Sequence, residues 1–145
     1  MAPGRAFPGF RWVGFLSNGM LNKISVAGGA VVPLGYAGAN FAGASWSEDD
    51  IIFVSIAFQR GLLRIPAGGG LPESVAGLGN GEIGLRNPQF LPGGKAILFS
   101  VDKAHGLDRN TIEVLTLPDG HRKVVARGGS FPRYLATSRG VGHLV

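Results

Sequence analysis

The sequence predicts an all-β protein made of β-propeller blades, and three observations carry that expectation. Trp46 in Gly43-Ala-Ser-Trp-Ser, Phe90 in Asn87-Pro-Gln-Phe-Leu and Tyr134 in Phe131-Pro-Arg-Tyr-Leu follow one another at intervals of 44 residues. Each aromatic is followed by a polar turn and a second apolar run, Ile51-Ile-Phe-Val, Ala96-Ile-Leu-Phe and Val141-Gly-His-Leu. No stretch sustains a helical period between caps. A period in the forties with several short strands per repeat is the signature of blades.

Taken in order, residues 1–9 read as a tail and residues 10–145 as one propeller domain, with blade groups at 10–34, 42–76, 87–127 and 131–145. The first group has three strands. Phe10-Arg-Trp-Val-Gly-Phe-Leu ends at Ser17-Asn-Gly, a hairpin turn whose Asn and Gly tolerate positive φ. Met20-Leu-Asn-Lys-Ile-Ser-Val follows, then Ala27-Gly-Gly, then Ala30-Val-Val-Pro-Leu, where Pro33 cannot donate to a ladder and so favours an edge. The second group has four strands: Ala42-Gly-Ala-Ser-Trp, Ile51-Ile-Phe-Val-Ser-Ile, Leu62-Leu-Arg-Ile and Leu71-Pro-Glu-Ser-Val. The third repeats that plan, with Pro92-Gly-Gly and Pro118-Asp-Gly as turns and a longer loop at Asp102–Asn110. The fourth begins with Pro132-Arg-Tyr-Leu and Gly142-His-Leu-Val. The 25 glycines among 145 residues cluster between apolar runs, as many tight turns require.

These repeats resemble TolB-type propeller blades, whose inner strand and turn read roughly Trp-Ser-Pro-Asp-Gly, and more closely the propeller appended to bacterial Ser/Thr protein kinases. The likeness is carried by Ile24-Ser-Val-Ala-Gly-Gly, Leu63-Arg-Ile-Pro-Ala-Gly-Gly and Pro88-Gln-Phe-Leu-Pro-Gly-Gly. It departs at Trp46-Ser-Glu-Asp-Asp, which lacks the Pro and the Gly, and at Ala136-Thr-Ser-Arg-Gly. It implies a sensing or scaffolding role, without a kinase active site: no kinase Gly-rich loop or catalytic Asp motif is present.

Lettering the strands of a blade A to D from the axis outward, the chain reads B-C-D, A-B-C-D, A-B-C-D, A-B. That is roughly three blades, half or a segment of a six-bladed ring, whereas a ring takes at least about four. Open ends leave sheet edges that must be covered. Two partners are expected: a second copy in a homodimer, the Tyr134 strand completing the partner's B-C-D group, or the remainder of a longer propeller. Gly142–Val145 competes with Phe10–Leu16 for that slot.

Composition narrows the functions. With no cysteine, disulfides and thiol chemistry are excluded. No signal peptide and no run of about 20 apolar residues is evident, so the expectation is cytoplasm or periplasm. Residues 1–85 carry five basic and five acidic side chains, and residues 86–145 nine and four, so the net charge of +5 lies in the C-terminal part. These charges are dispersed, which fits a solvated surface rather than nucleic-acid binding.

Strands alternate in direction within a blade, so the B–C and D–A loops emerge at one end. The candidate binding residues there are Glu82, Arg86, Asp102, His105, Asp108 and Arg109, for a protein or small ligand. Gly79, Gly81 and Gly84 match Gly-x-Gly-x-x-Gly but lead into a strand, not the helix a dinucleotide site needs. Asp102, His105 and Asp108 are a weak donor set, and no metal or other cofactor is expected. Ser45 lacks the closing glycine of a nucleophile elbow. The leading expectation is a non-enzymatic binding module. The alternative is the propeller part of a hydrolase or peptidase whose site needs another domain or the closed ring.

Overall fold

The computed structural model describes residues 11–39, 41–47, 49–55, 61–136 and 142–144. The expected tail at 1–9 and the Ala136-Thr-Ser-Arg-Gly turn fall largely or wholly outside those residues. Thirteen strands and one 3₁₀ turn at Leu107–Arg109 are described, and all strand pairing is antiparallel. The chain is all-β, with sheets of three, four, four and two strands.

Blade I holds β1 (Trp12–Ser17), β2 (Met20–Ser25) and β3 (Val32–Tyr36). Its first hairpin turns on Asn18 and Gly19, both at positive φ (50° and 78°), which matches the right-handed twist of the flanking strands. Pro33 lies in β3, the outer strand, where its missing N–H breaks no further ladder.

Blade II holds β4 (Phe41–Trp46), β5 (Asp50–Ser55), β6 (Leu62–Pro66) and β7 (Glu73–Ala76). Blade III holds β8 (Glu82–Phe90), β9 (Ala96–Lys103), β10 (Thr111–Thr116) and β11 (His121–Arg127). In blade IV, β12 (Tyr134–Ala136) pairs with β13 (Gly142–Leu144).

One boundary differs from the sequence reading in a way that matters for the site. The inner strand of blade III starts at Glu82 rather than Asn87, and β9 runs on to Lys103. Glu82 pairs with Lys103, Gly84 with Asp102 and Arg86 with Ser100. Glu82, Arg86 and Asp102, expected on loops, are therefore strand residues, because a bulge between Arg86 and Gln89 lets the strand continue.

Two apolar clusters hold the blades together, one at each full interface. Between blades I and II lie Leu21, Leu34, Ile51, Phe53, Leu63 and Ile65. Between blades II and III lie Leu62, Leu85, Ile97, Phe99, Val101 and Leu115. Phe53 and Phe99 are fully buried, each contributing about 1.5–3 kcal/mol of burial. Trp46 and Phe90 pack on these clusters but are only half-buried. The bulk of the core therefore sits outward from the 44-residue aromatics, on the B and C strands.

The inner strands repeat more than their aromatics. Ser45 Oγ accepts the N–H of Phe90 at 2.9 Å, and Gln89 Oε1 accepts the N–H of Tyr134 at 2.8 Å. The residue before one aromatic thus ties down the aromatic of the next blade. The residues three before each aromatic, Gly43, Asn87 and Phe131, all have positive φ (118°, 52° and 55°). At Gly43 the need is also steric: a Cβ would lie 3.3 Å from the Asn87 Cα of the next blade.

Candidate functional site

The B–C and D–A connections of blade III meet at one end of the sheet, where the Ala104 N–H donates to Gly81 O at 3.0 Å. The same relation holds in blade I, where the Ala37 N–H donates to Gly19 O at 2.8 Å. Gly81 (φ 73°) turns the chain directly into β8, so the Gly-x-Gly-x-x-Gly run opens a strand. The Gly79 N–H donates to Glu82 Oε2 at 2.7 Å, which closes that turn.

Asn110 shapes the B–C loop from inside. It is 2% exposed. Its Oδ1 accepts the Lys103 N–H at 2.9 Å and its Nδ2 donates to Asp102 Oδ1 at 3.3 Å. Its carbonyl accepts the Gly128 N–H at 2.7 Å, and its own N–H closes the 3₁₀ turn onto Leu107 O. A buried amide satisfied on every side fixes the loop's geometry. Nothing in its sequence surroundings marks it, since its partners lie at the end of β9, within the loop and just beyond β11.

Of the six candidate residues, three are committed to ion pairs. Arg86 pairs with Asp102. Glu82 receives Arg122 in a fork, at 2.8 and 3.2 Å, and Lys103 at 3.2 Å. Burial pushes the Glu82 carboxyl up, but hydrogen bonds from Arg122, the Gly79 amide and Lys103 outweigh it and hold the group below its ordinary value. Arg122 also donates to Glu113 Oε2 at 2.8 Å, while Thr111 Oγ1 donates to Glu113 Oε1 at 3.0 Å. Burial lowers the Arg122 guanidinium, but the two carboxylates outweigh it and raise it.

Arg122 and Glu113 are the residues sequence reading missed. Glu113 stands on β10 in phase with buried Thr111 and Leu115, a charge on the core face of a strand, and that phase was the available signal. Arg122 covers the Phe99 ring at 5.5 Å and donates to Gly77 O of blade II at 3.4 Å. It fastens two blades together.

His105, Asp108 and Arg109 are exposed at the loop. With Gly81, Lys103, Ala104 and Arg127 they line an open hollow of ≈ 390 Å³. Among the described residues no three His, Asp or Glu side chains converge to hold a metal ion. Ser45 is engaged with the Phe90 backbone. His121, with its N–H on Asp119 Oδ1, opens β11 directly after the C–D turn, and the side chain of His143 lies outside the described residues.

Blades of this order define the chain as part of a β-propeller. Neither protein-family models nor curated proteins show a match to it. Solved structures do. TolB from Acinetobacter baumannii superposes with a TM-score of 0.64 at 18% identity, over 92% of this chain and 32% of that one. Putative TolB from Agrobacterium tumefaciens superposes more weakly, with a TM-score of 0.40 at 14% identity, over 87% of this chain and 62% of that one. The likeness is one of fold, and this chain spans about a third of the first structure's length. Among the described residues no helix is long and apolar enough to cross a membrane.

Proposed function

We propose that this chain is a non-enzymatic binding module, a propeller segment that presents the B–C/D–A end of blade III to a protein or small ligand. One observation carries the reading: the hollow beside Ala104 lies on a loop held rigid by Asn110, and side chains line it without filling it. A volume of ≈ 390 Å³ lies within the range of small-ligand sites, about 300–1,000 Å³. The nearby carboxylates Glu82, Glu113 and Asp102 are each engaged by a cation, which fits groups that hold the rim in shape. The blade signatures shared with kinase-appended propellers fit a sensing or scaffolding role.

Completion of the ring by a second copy belongs to the same proposal. Within this chain β13 occupies the edge of β12. A trans closure therefore exchanges β13 for the partner's first strand. Val13, Val26 and Val31 of blade I and Phe131 and Leu135 at the other end are exposed, apolar surface that closure would cover.

The test is face-specific photocrosslinking in cells that make the protein. A photoreactive residue at Ala104 should capture one defined species, and the same residue at Asp119, on the opposite end, should not. Equal capture from both positions, or none from Ala104, overturns the assignment. Sedimentation equilibrium of the purified chain tests closure: a dimer is expected, and a monomer up to high concentration rejects it.

A further inference from the structure

We propose that the hollow at the B–C/D–A end of blade III is an oxyanion site, filled by a ligand that presents a carboxylate or phosphate group. The proposal rests on the binding role of that end and specifies the chemistry of what binds there.

Charge bookkeeping at the site leads to it. Lys103 and Arg122 face Glu82 and Glu113 in one network, two cations against two carboxylates. Arg86 and Asp102 neutralise each other. Neither group leaves net charge for a ligand. Arg109 and Arg127 also line or border the hollow, and among the described residues neither makes an ion pair. Among the described residues Asp108 is the one carboxylate in the lining and offsets one of them; His105 adds a further nitrogen. The hollow is thus a concave surface with an excess of unpaired guanidinium, built on a rigid rim.

Guanidinium presents paired N–H groups that match the two oxygens of a carboxylate or phosphate, and such charge-assisted bonds are about twice as strong as neutral ones. The two arginines come from different elements: Arg109 ends the 3₁₀ turn and Arg127 ends β11. The Gly128 N–H on Asn110 O holds those two segments together. A ligand between the arginines would therefore meet two guanidiniums whose backbone segments are already tied together, which removes the cost of bringing those segments into place. The same placement accounts for part of the C-terminal charge excess.

The test uses the full chain labelled with ¹⁵N and titrated separately with inorganic phosphate and with succinate at low ionic strength. Saturable shifts are expected at the amides of Gly81, Ala104 and Gly128. Arg109→Gln and Arg127→Gln should each weaken binding about tenfold, the worth of one lost charge-assisted contact of ~1.4 kcal/mol. Lys95→Gln, an exposed cation on the opposite end, should leave binding unchanged. The stronger of the two probes identifies the oxyanion class. Absence of shifts at millimolar probe, or equal weakening by Lys95→Gln, overturns the site, the second outcome meaning diffuse attraction by net charge. Because Arg109 is exposed on a loop, its variant keeps the fold even if Arg127→Gln does not. Crosslinking from Ala104 can succeed while the titration fails, so the two proposals fall separately.

Discussion

The two full blade interfaces occupy the same place in the repeat and share an apolar core, but the ring at the centre of each is covered by opposite chemistry. In blade II, Leu63 stands across from Phe53, and the Phe53 ring stacks on Phe41 with centroids 5.9 Å apart. In blade III, Glu113 stands across from Phe99, and the ring is covered by the Arg122 guanidinium. Leu63 and Glu113 are each 5% exposed, so burial is equal and only the partner differs. Both interfaces hold by apolar area removed from water. The second adds a polar margin, where Arg122 satisfies two nearly buried carboxylates and reaches a carbonyl of the neighbouring blade. A blade of this kind therefore asks for a filled position, not for a particular residue type.

The largest expected effect comes from the two rings on which both interfaces rest. Phe53→Ala and Phe99→Ala should each cost about 3–5 kcal/mol, read as loss of a cooperative thermal transition. Phe99→Ala should be the worse, since it also removes the surface on which Arg122 lies. A smaller loss at Phe99 than at Phe53 would mean that Arg122 closes over the cavity.

Breaking the polar interface on one side comes next. Arg122→Ala leaves Glu113 and Glu82 short of a cation and should cost about 3 kcal/mol. The double change Glu113→Leu with Arg122→Met copies the apolar solution at that position and should recover most of this loss, the remainder being the two Arg122 bonds that Glu82 forfeits. Urea midpoints of the three proteins decide whether the polarity is needed. Acid sharpens the same comparison. The folded-state pKa of Glu82 is held below its ordinary value of 4.5, so its contribution is complete above that pH and is lost as pH falls through the depressed value. Glu82→Gln should flatten the acid limb of a stability-versus-pH curve.

Smaller effects belong to the inner-strand ties. Ser45→Ala removes the acceptor for the Phe90 N–H and should cost about 1 kcal/mol. Gln89→Ala frees both groups of Tyr134 that the amide holds, the N–H at 2.8 Å and the carbonyl at 3.3 Å. It should increase amide hydrogen exchange at Tyr134 more than at Phe90. At the small end, Phe131→Gly should raise stability by about 1 kcal/mol. Phe131 holds φ 55° with its side chain 67% exposed, a backbone strain of about 1–2 kcal/mol for a residue with a Cβ. No gain would indicate that the ring is covered in solution, as closure of the propeller would require.

Much of the fold was legible because strand and turn are local. The Asn18-Gly19 hairpin, the Pro92-Gly-Gly turn and the alternation of Ile97 and Phe99 each lie within a few residues, and the blade grouping follows from their order. That the B–C and D–A loops of blade III emerge at one end was legible in the same way, from strand direction alone. The pairing of the residues there was not. Glu82 and Arg86 read as loop residues because glycines surround them, whereas pairing with β9 makes them strand. Arg122 read as one of the dispersed surface cations, because its partners Glu113, Glu82 and Gly77 lie 9, 40 and 45 residues away.

By itself the sequence determined the period, the strand order and the loop end, since apolar alternation and turn chemistry are set by neighbours along the chain. Tertiary structure decided which charges are paired inside and which, among the described residues, make no ion pair. It also decided that Gly43, Asn87 and Phe131, three unlike residues, share one left-handed backbone position. The reason is the same in both cases: the inner strand of each blade is shaped by the blade beside it, a neighbour in space that the repeat places 44 residues away.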